Sequence, residues 1–137
     1  MASWIADVEA KLFTIVKYKG EKELKEDYPN IYYTTDNMAS TKTHYPTVYM
    51  KFLPNGERGR DLEGNRINSV LFSIQLEVTV SKAQGQTVAK KVIWQAIETL
   101  QKECFEVFGT PEDISTSADN KRFVARLRRV IDYNDYI

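Results

Sequence analysis

His44 is the one histidine in 137 residues and Cys104 the one cysteine. A Ser–His–acid or Cys–His arrangement would have to be built on that single imidazole. It stands between Thr43 and Tyr45, just ahead of Pro46, in a stretch of loop composition. We read His44 as a loop residue rather than a base. Cys104 falls four residues beyond Leu100 on an apolar stripe, where a thiol behaves as a small hydrophobe. It is read as core. One histidine and one cysteine do not compose a zinc site of the usual kind. A lone cysteine also precludes an intrachain disulfide and suits a reducing compartment. Two carboxylate pairs, Asp61 with Glu63 and Asp132 with Asp135, have types that hold a divalent cation or do acid–base work. Both fall in solvated stretches and read as surface charge. Gly56, Gly59 and Gly64 lack the spacing of a P-loop or a dinucleotide turn. No cofactor and no reaction follow from these residues.

The remaining chemistry is charge. Arg58, Arg60 and Arg66 share one segment with Asp61 and Glu63, and Lys121, Arg122, Arg126, Arg128 and Arg129 crowd a second. Three readings are open for the second cluster. It is a charged edge that resists aggregation, a patch that pairs with carboxylates of a neighbouring subunit, or a nucleic-acid surface. Arg126 and Arg128 are two apart and share a face in a strand. That face has no aromatic residue of its own strand for stacking bases. The chain as a whole carries nineteen basic and nineteen acidic residues, so no global field draws it to an anionic polymer or membrane. Nucleic acid ranks third.

These residues must be held by elements that the hydrophobic pattern predicts. Val70, Phe72, Ile74, Leu76, Val78 and Val80 alternate with Leu71, Ser73, Gln75, Glu77 and Thr79, the period of a strand with one face buried. After Ser81 to Gly85 the period changes. Val88, Val92, Ile93, Ala96, Ile97, Leu100 and Cys104 make one stripe of an amphipathic helix, with Glu98 and Lys102 placed to pair across one turn of its surface. Trp4, Ile5, Val8, Leu12, Ile15 and Val16 form an earlier helical stripe from Trp4 to Tyr18, with Ser3 as N-cap and Gly20 placed to end it. Ile31 to Thr35 has strand composition, and Thr47 to Leu53 alternates with Val48, Met50 and Phe52 on one side. Pro54-Asn55-Gly56 reads as a turn. Asn55 to Asn68, with three glycines and mixed charge, reads as a long flexible loop. Phe105 and Phe108 make a short extended piece before a turn at Gly109-Thr110-Pro111. Arg122 to Asp132 is a last strand that buries Phe123, Leu127 and Ile131.

The expected result is one domain over residues 1–137, of α+β class. A mainly antiparallel sheet of about four strands is packed by two main helices, with a long charged loop between strands. Neither a signal peptide nor a transmembrane helix is read from the sequence, which implies a soluble protein made in the cytoplasm.

The order of these parts resembles the tail terminator (tail completion) proteins of long-tailed bacteriophages. The likeness rests on the N-terminal helix Ala6–Lys17, the Tyr45-Pro46-Thr47-Val48 lead into a strand, and the alternating strand from Leu71 to Val78. It continues through the helix Ala89–Leu100 and the terminal strand bearing Arg126-Leu127-Arg128-Arg129. The resemblance implies a structural virion protein, made in the host cytoplasm, that forms a homo-hexameric ring. Its partners are then the tail-tube protein and a head–tail connector or neck protein, with DNA passing only through the ring lumen. No enzyme activity, cofactor or membrane partner is implied. The resemblance assigns no role to single residues. Charge and position nominate Arg58, Arg60, Asp61, Glu63, Arg66, Arg126 and Arg128 for subunit or tube contacts. Rival readings are another neck or tail-tube subunit, a small enzyme using the Gly56–Asn68 loop with Asp61, Glu63 or His44, and a nucleic-acid module on Lys121–Arg129.

Overall fold

Six apolar side chains at every second position from Val70 to Val80 can all leave water only if one strand runs unbroken past them. In the computed structural model, which describes residues 3–35, 45–53, 56–60, 67–115 and 120–132, that strand is β4, Ile67–Ser81. Val70, Phe72, Ile74, Leu76, Val78 and Val80 are at most 1% exposed. Each such side chain contributes about 1.5–3 kcal/mol by leaving water. The elements around it are α1 (Ser3–Leu24), β1 (Tyr32–Thr34), β2 (Thr47–Phe52), β3 (Gly56–Arg60), α2 (Gly85–Lys102), β5 (Glu106–Asp113) and β6 (Asn120–Asp132).

The fold is α+β, and its sheet is mostly antiparallel. Five strands follow the order β1-β2-β4-β6-β5, and β3 shares the edge of β4 with β2. Among the described residues this makes six strands, where the sequence pattern predicts about four. Among the described strands only β1 and β2 pair in parallel. β6 lies against β4 from Ser69↔Asp132 to Ser81↔Asn120. On the other edge β2 covers Ile74 to Thr79 and β3 covers Ile67 to Leu71.

Both helices lie over the face that carries the buried residues of β4. α2 sets Ala89, Val92, Ile93, Ala96, Ile97 and Leu100 into the core, as its stripe predicts. α1 adds Leu12 and Val16, and Trp4 meets Phe72 edge-on with ring centroids 6.3 Å apart. From the sheet come Val48, Met50, Phe123, Leu127 and Ile131, all on the side that alternation assigns them.

Four signals in the sequence mislead, each for a specific physical reason. Gly20 does not end α1, which continues to Leu24 and buries that leucine. A β-carbon at Gly20 would land on the ring and hydroxyl of Tyr33. The glycine is therefore a gap for an aromatic residue. The Tyr33 hydroxyl is buried without a hydrogen-bond partner among the described residues. Its ionisation is pushed far up by burial, with Glu21 and Glu23 adding to the effect. Of the turn expected at Pro54-Asn55-Gly56, Pro54 and Asn55 lie outside the described residues, and Gly56 already belongs to β3. Phe52 faces Ile74 and Gly56 faces Leu71, so β3 takes up the same edge of β4, in the same direction, where β2 leaves it. The stretch expected as one long charged loop is thus partly strand, with residues 61–66 outside the described residues. At Gly109-Thr110-Pro111, β5 runs on through two irregularities of its pairing with β6. An edge strand tolerates glycine and proline at such bulges.

Cys104 is the fourth case. α2 stops at Lys102, so the thiol is off the stripe and exposed. The amide of Phe105 donates to the carbonyl of Leu100 (3.0 Å) and that of Cys104 to Gln101 (3.0 Å). This is a Schellman termination, which places Cys104 at the left-handed position (φ 66°) and packs Phe105 back against the helix end.

Two stability changes are expected in chemical denaturation. Cys104→Gly relieves the left-handed strain and raises stability by about 0.5–1 kcal/mol. Gly20→Ala, a helix-favouring change of about 1 kcal/mol elsewhere, here costs about 1–3 kcal/mol through overpacking on Tyr33. Pairing it with Tyr33→Phe, which removes the nearest atom, returns part of the loss.

Candidate functional site

With both helices on one face, no described element lies over the opposite face of the sheet. It is built from the positions that alternate with the core: Tyr49 and Lys51 on β2, and Leu71, Ser73, Gln75, Glu77 and Thr79 on β4. β6 adds Arg122, Val124, Arg126, Arg128 and Val130, and β5 adds Glu106 and Phe108. β6 is the basic strand of the sequence, and it sits second from the sheet edge. Its register fixes what each arginine meets.

At one end, Arg122 is opposite Thr79 and reaches Glu77, with Nη2 2.5 Å from Oε1. Glu77 is only 8% exposed, so that guanidinium is what offsets the cost of shielding its side chain from water. Arg126 stands opposite Gln75 and donates from Nε to its side-chain oxygen (3.1 Å). That partner is neutral, so the positive charge of Arg126 is not offset there. Arg128 faces Ser73 across β4 and Glu106 across β5. Its guanidinium is 3.8 Å from the Glu106 carboxylate and lies over the Phe108 ring at 5.1 Å, a cation–π geometry. Val130, opposite Leu71, extends the row. Phe108 and Val130 are 44% and 45% exposed. The open face thus presents two arginines beside an aromatic ring and an aliphatic side chain, all on neighbouring strands of one sheet.

Arg129 belongs to the other face. Its Nη1 donates to the carbonyl of Glu103 (2.8 Å) just past α2, where a cation favours a helix C-terminus. This explains a charged residue in the otherwise apolar register of Phe123, Ala125, Leu127 and Ile131.

Of the nominated residues, the structure brings together Arg126 and Arg128. Arg58 and Arg60 are strand residues of β3, on the far side of β4 from β6. Asp61, Glu63 and Arg66 lie outside the described residues, as do His44 and Asp135. Asp132 ends β6 and accepts a hydrogen bond from the Ser69 hydroxyl. Sequence reasoning misses Phe108 as a site residue. It comes from β5, a different strand from the basic one, so no local pattern places it beside Arg128. The basic face is therefore not without an aromatic side chain.

The β5–β6 end is tied by Asp113, which accepts from the Ser115 amide (2.8 Å) and hydroxyl; Ser115 Oγ in turn accepts from the Arg122 amide (3.0 Å). The Ser115 hydrogen bonds hold the Asp113 carboxyl below its ordinary range. Among the described residues no group of three or more His, Cys, Asp or Glu could hold a metal ion. No helix among them is long and apolar enough to cross a membrane. The Glu98–Lys102 pair expected on α2 is not closed, since neither side chain has an ion-pair partner among the described residues.

No family model matches this chain, and no curated protein matches it.

Removing one partner of the Arg122–Glu77 pair tests how the face is held. Arg122→Ala alone is expected to cost about 1–3 kcal/mol, because the carboxylate of Glu77 stays shielded without its cation. Adding Glu77→Gln returns part of that loss in a double-mutant cycle read by urea unfolding.

Proposed function

We propose that this chain is a structural subunit of the tail terminator type. In this reading, copies assemble into a hexameric ring that caps a phage tail tube, ends its polymerisation and joins tail to head. The observation that carries the reading is the open sheet face. Arg126, Arg128, Phe108 and Val130 form an exposed surface of arginine, aromatic and aliphatic groups, with arginine and aromatic residues the types enriched in protein–protein contacts. The order of helix, strands, helix and arginine-bearing terminal strand supports it as well. The partners are then further copies of the chain, a tail-tube protein and a neck protein, and DNA meets the ring only in its lumen. The place of action is the virion.

A ring built from head-to-tail contacts needs two different complementary patches on each subunit. Arg126 and Arg128 of β6 supply one such patch, and β3, the strand of Arg58 and Arg60, lies across β4 from it.

The experiment is to add the purified protein to polymerising tail-tube protein and image the products by negative-stain electron microscopy. Short tubes capped by a single ring are expected. Charge reversal at Arg60 or Arg128 should lengthen the tubes or remove the cap. Purified protein that itself stacks into long tubes identifies a tube subunit instead, and tubes of unchanged length without caps contradict the proposal.

A further inference from the structure

Among the described residues four large apolar side chains are well exposed, and they divide between the two layers. Phe108 and Val130 are on the open sheet face, while Tyr18 and Trp94, 61% and 41% exposed, are on α1 and α2. Each layer also carries charge beside its aromatic. On the sheet these are Arg126 and Arg128. On the helices Trp94 rims a shallow depression of about 360 Å³, floored by Leu24 and edged by Glu23, Lys91, Gln95 and Glu98.

The charges of that depression are not equally engaged. Lys91 is 3.6 Å from Asp27 and lies over the Tyr28 ring at 5.8 Å. Its positive charge is thus largely answered from within the chain. Glu23 accepts a hydrogen bond from the neutral Gln95 amide (3.0 Å), and Glu98 is exposed without an ion-pair partner among the described residues. The depression therefore presents carboxylate charge around a tryptophan. The sheet face presents the opposite: Arg126 is bonded to a neutral amide and is its unanswered cation among the described residues, while Arg128, 3.8 Å from Glu106, lies over the Phe108 ring. Arginine matches both partners there, binding carboxylates through its planar fork and the tryptophan face through cation–π contact.

We propose that the open sheet face of one copy docks onto the Trp94–Glu98 depression of the next, with Arg126 and Arg128 meeting Glu98, Glu23 and Trp94. The occupant is a second copy of this chain, because each patch finds its complement in charge and aromatic character on the opposite layer of the same subunit. Patches on opposite layers cannot meet in a two-fold self-pair. They join head to tail, the contact that closes into a ring when the rotation permits. The inference rests on the ring reading above and assigns its two surfaces.

Two charge reversals test it, Arg126→Glu and Glu98→Arg, with mass read by analytical ultracentrifugation and folding checked by circular dichroism. Each variant alone places like charges across every contact. It is expected to need a concentration about tenfold or more above that of the wild type to assemble. An equimolar mixture is expected to assemble as the wild type does. In an alternating ring of the two variants every contact sets opposite charges together. One contact joins the two reversed positions, and the next joins the native Arg126 of one variant to the native Glu98 of the other. Variants that assemble unchanged, or a mixture that stays dissociated, overturn the assignment while leaving the ring itself standing. A wild-type protein that stays monomeric at all concentrations overturns the ring reading and this inference with it.

Discussion

β4 is hydrogen-bonded along both edges, and the rest of the molecule follows from that placement. Its fifteen residues give β2 and β3 a common edge and hold β6 on the other over thirteen paired positions. The even-numbered side chains from Val70 to Val80 form the floor on which α2 rests, and α1 reaches the same floor through Trp4 on Phe72. A one-residue slip of β6 against β4 would turn Phe123, Leu127 and Ile131 outward and drive Arg122, Arg126 and Arg128 into the helices. Register is therefore fixed by burial on one side, and the geometry of the open face is inherited from it.

That inheritance is what makes the open face more than a solvated surface. The backbones of β4 and β6 are held by ladder hydrogen bonds on both flanks, which fixes the relative positions of the side chains they carry. Arg122 is committed to Glu77, whose low exposure makes the pair structural. Arg126 and Arg128, further along β6, are bonded more weakly and remain at the surface with Phe108 and Val130. The division along one strand, from an anchoring arginine to arginines available to a partner, ties the stability of the sheet to its candidate role. Isolated exposed ion pairs contribute little to folding, about 0–1 kcal/mol, so Arg126 and Arg128 are poorly explained by stability alone.

The elements with long, regular hydrophobic periods are legible in the sequence. The alternation from Val70 to Val80 and the stripe from Val88 to Leu100 both return as β4 and α2, and the α+β class with them. What fails is punctuation. Gly20, Gly56, Gly109 and Pro111 read as breaks, yet each sits where the chain continues as helix or strand. Their reasons are tertiary: Tyr33 fills the gap at Gly20, and edge pairings absorb the irregularities at the others. Cys104 continues a helical period on paper, but the helix has already closed through the Leu100 and Gln101 carbonyls. At the candidate site, spacing nominates Arg126 and Arg128. It does not nominate Phe108, because the approach of that ring to Arg128 depends on the pairing of β5 with β6. Neighbours across a sheet are invisible to any local pattern.

The most direct test of the account is the mass of the purified protein measured by sedimentation equilibrium across a wide concentration series. A discrete hexamer, or a monomer passing to a hexamer as concentration rises, is the predicted result. A particle that remains monomeric throughout, also in the presence of tail-tube protein, would contradict it.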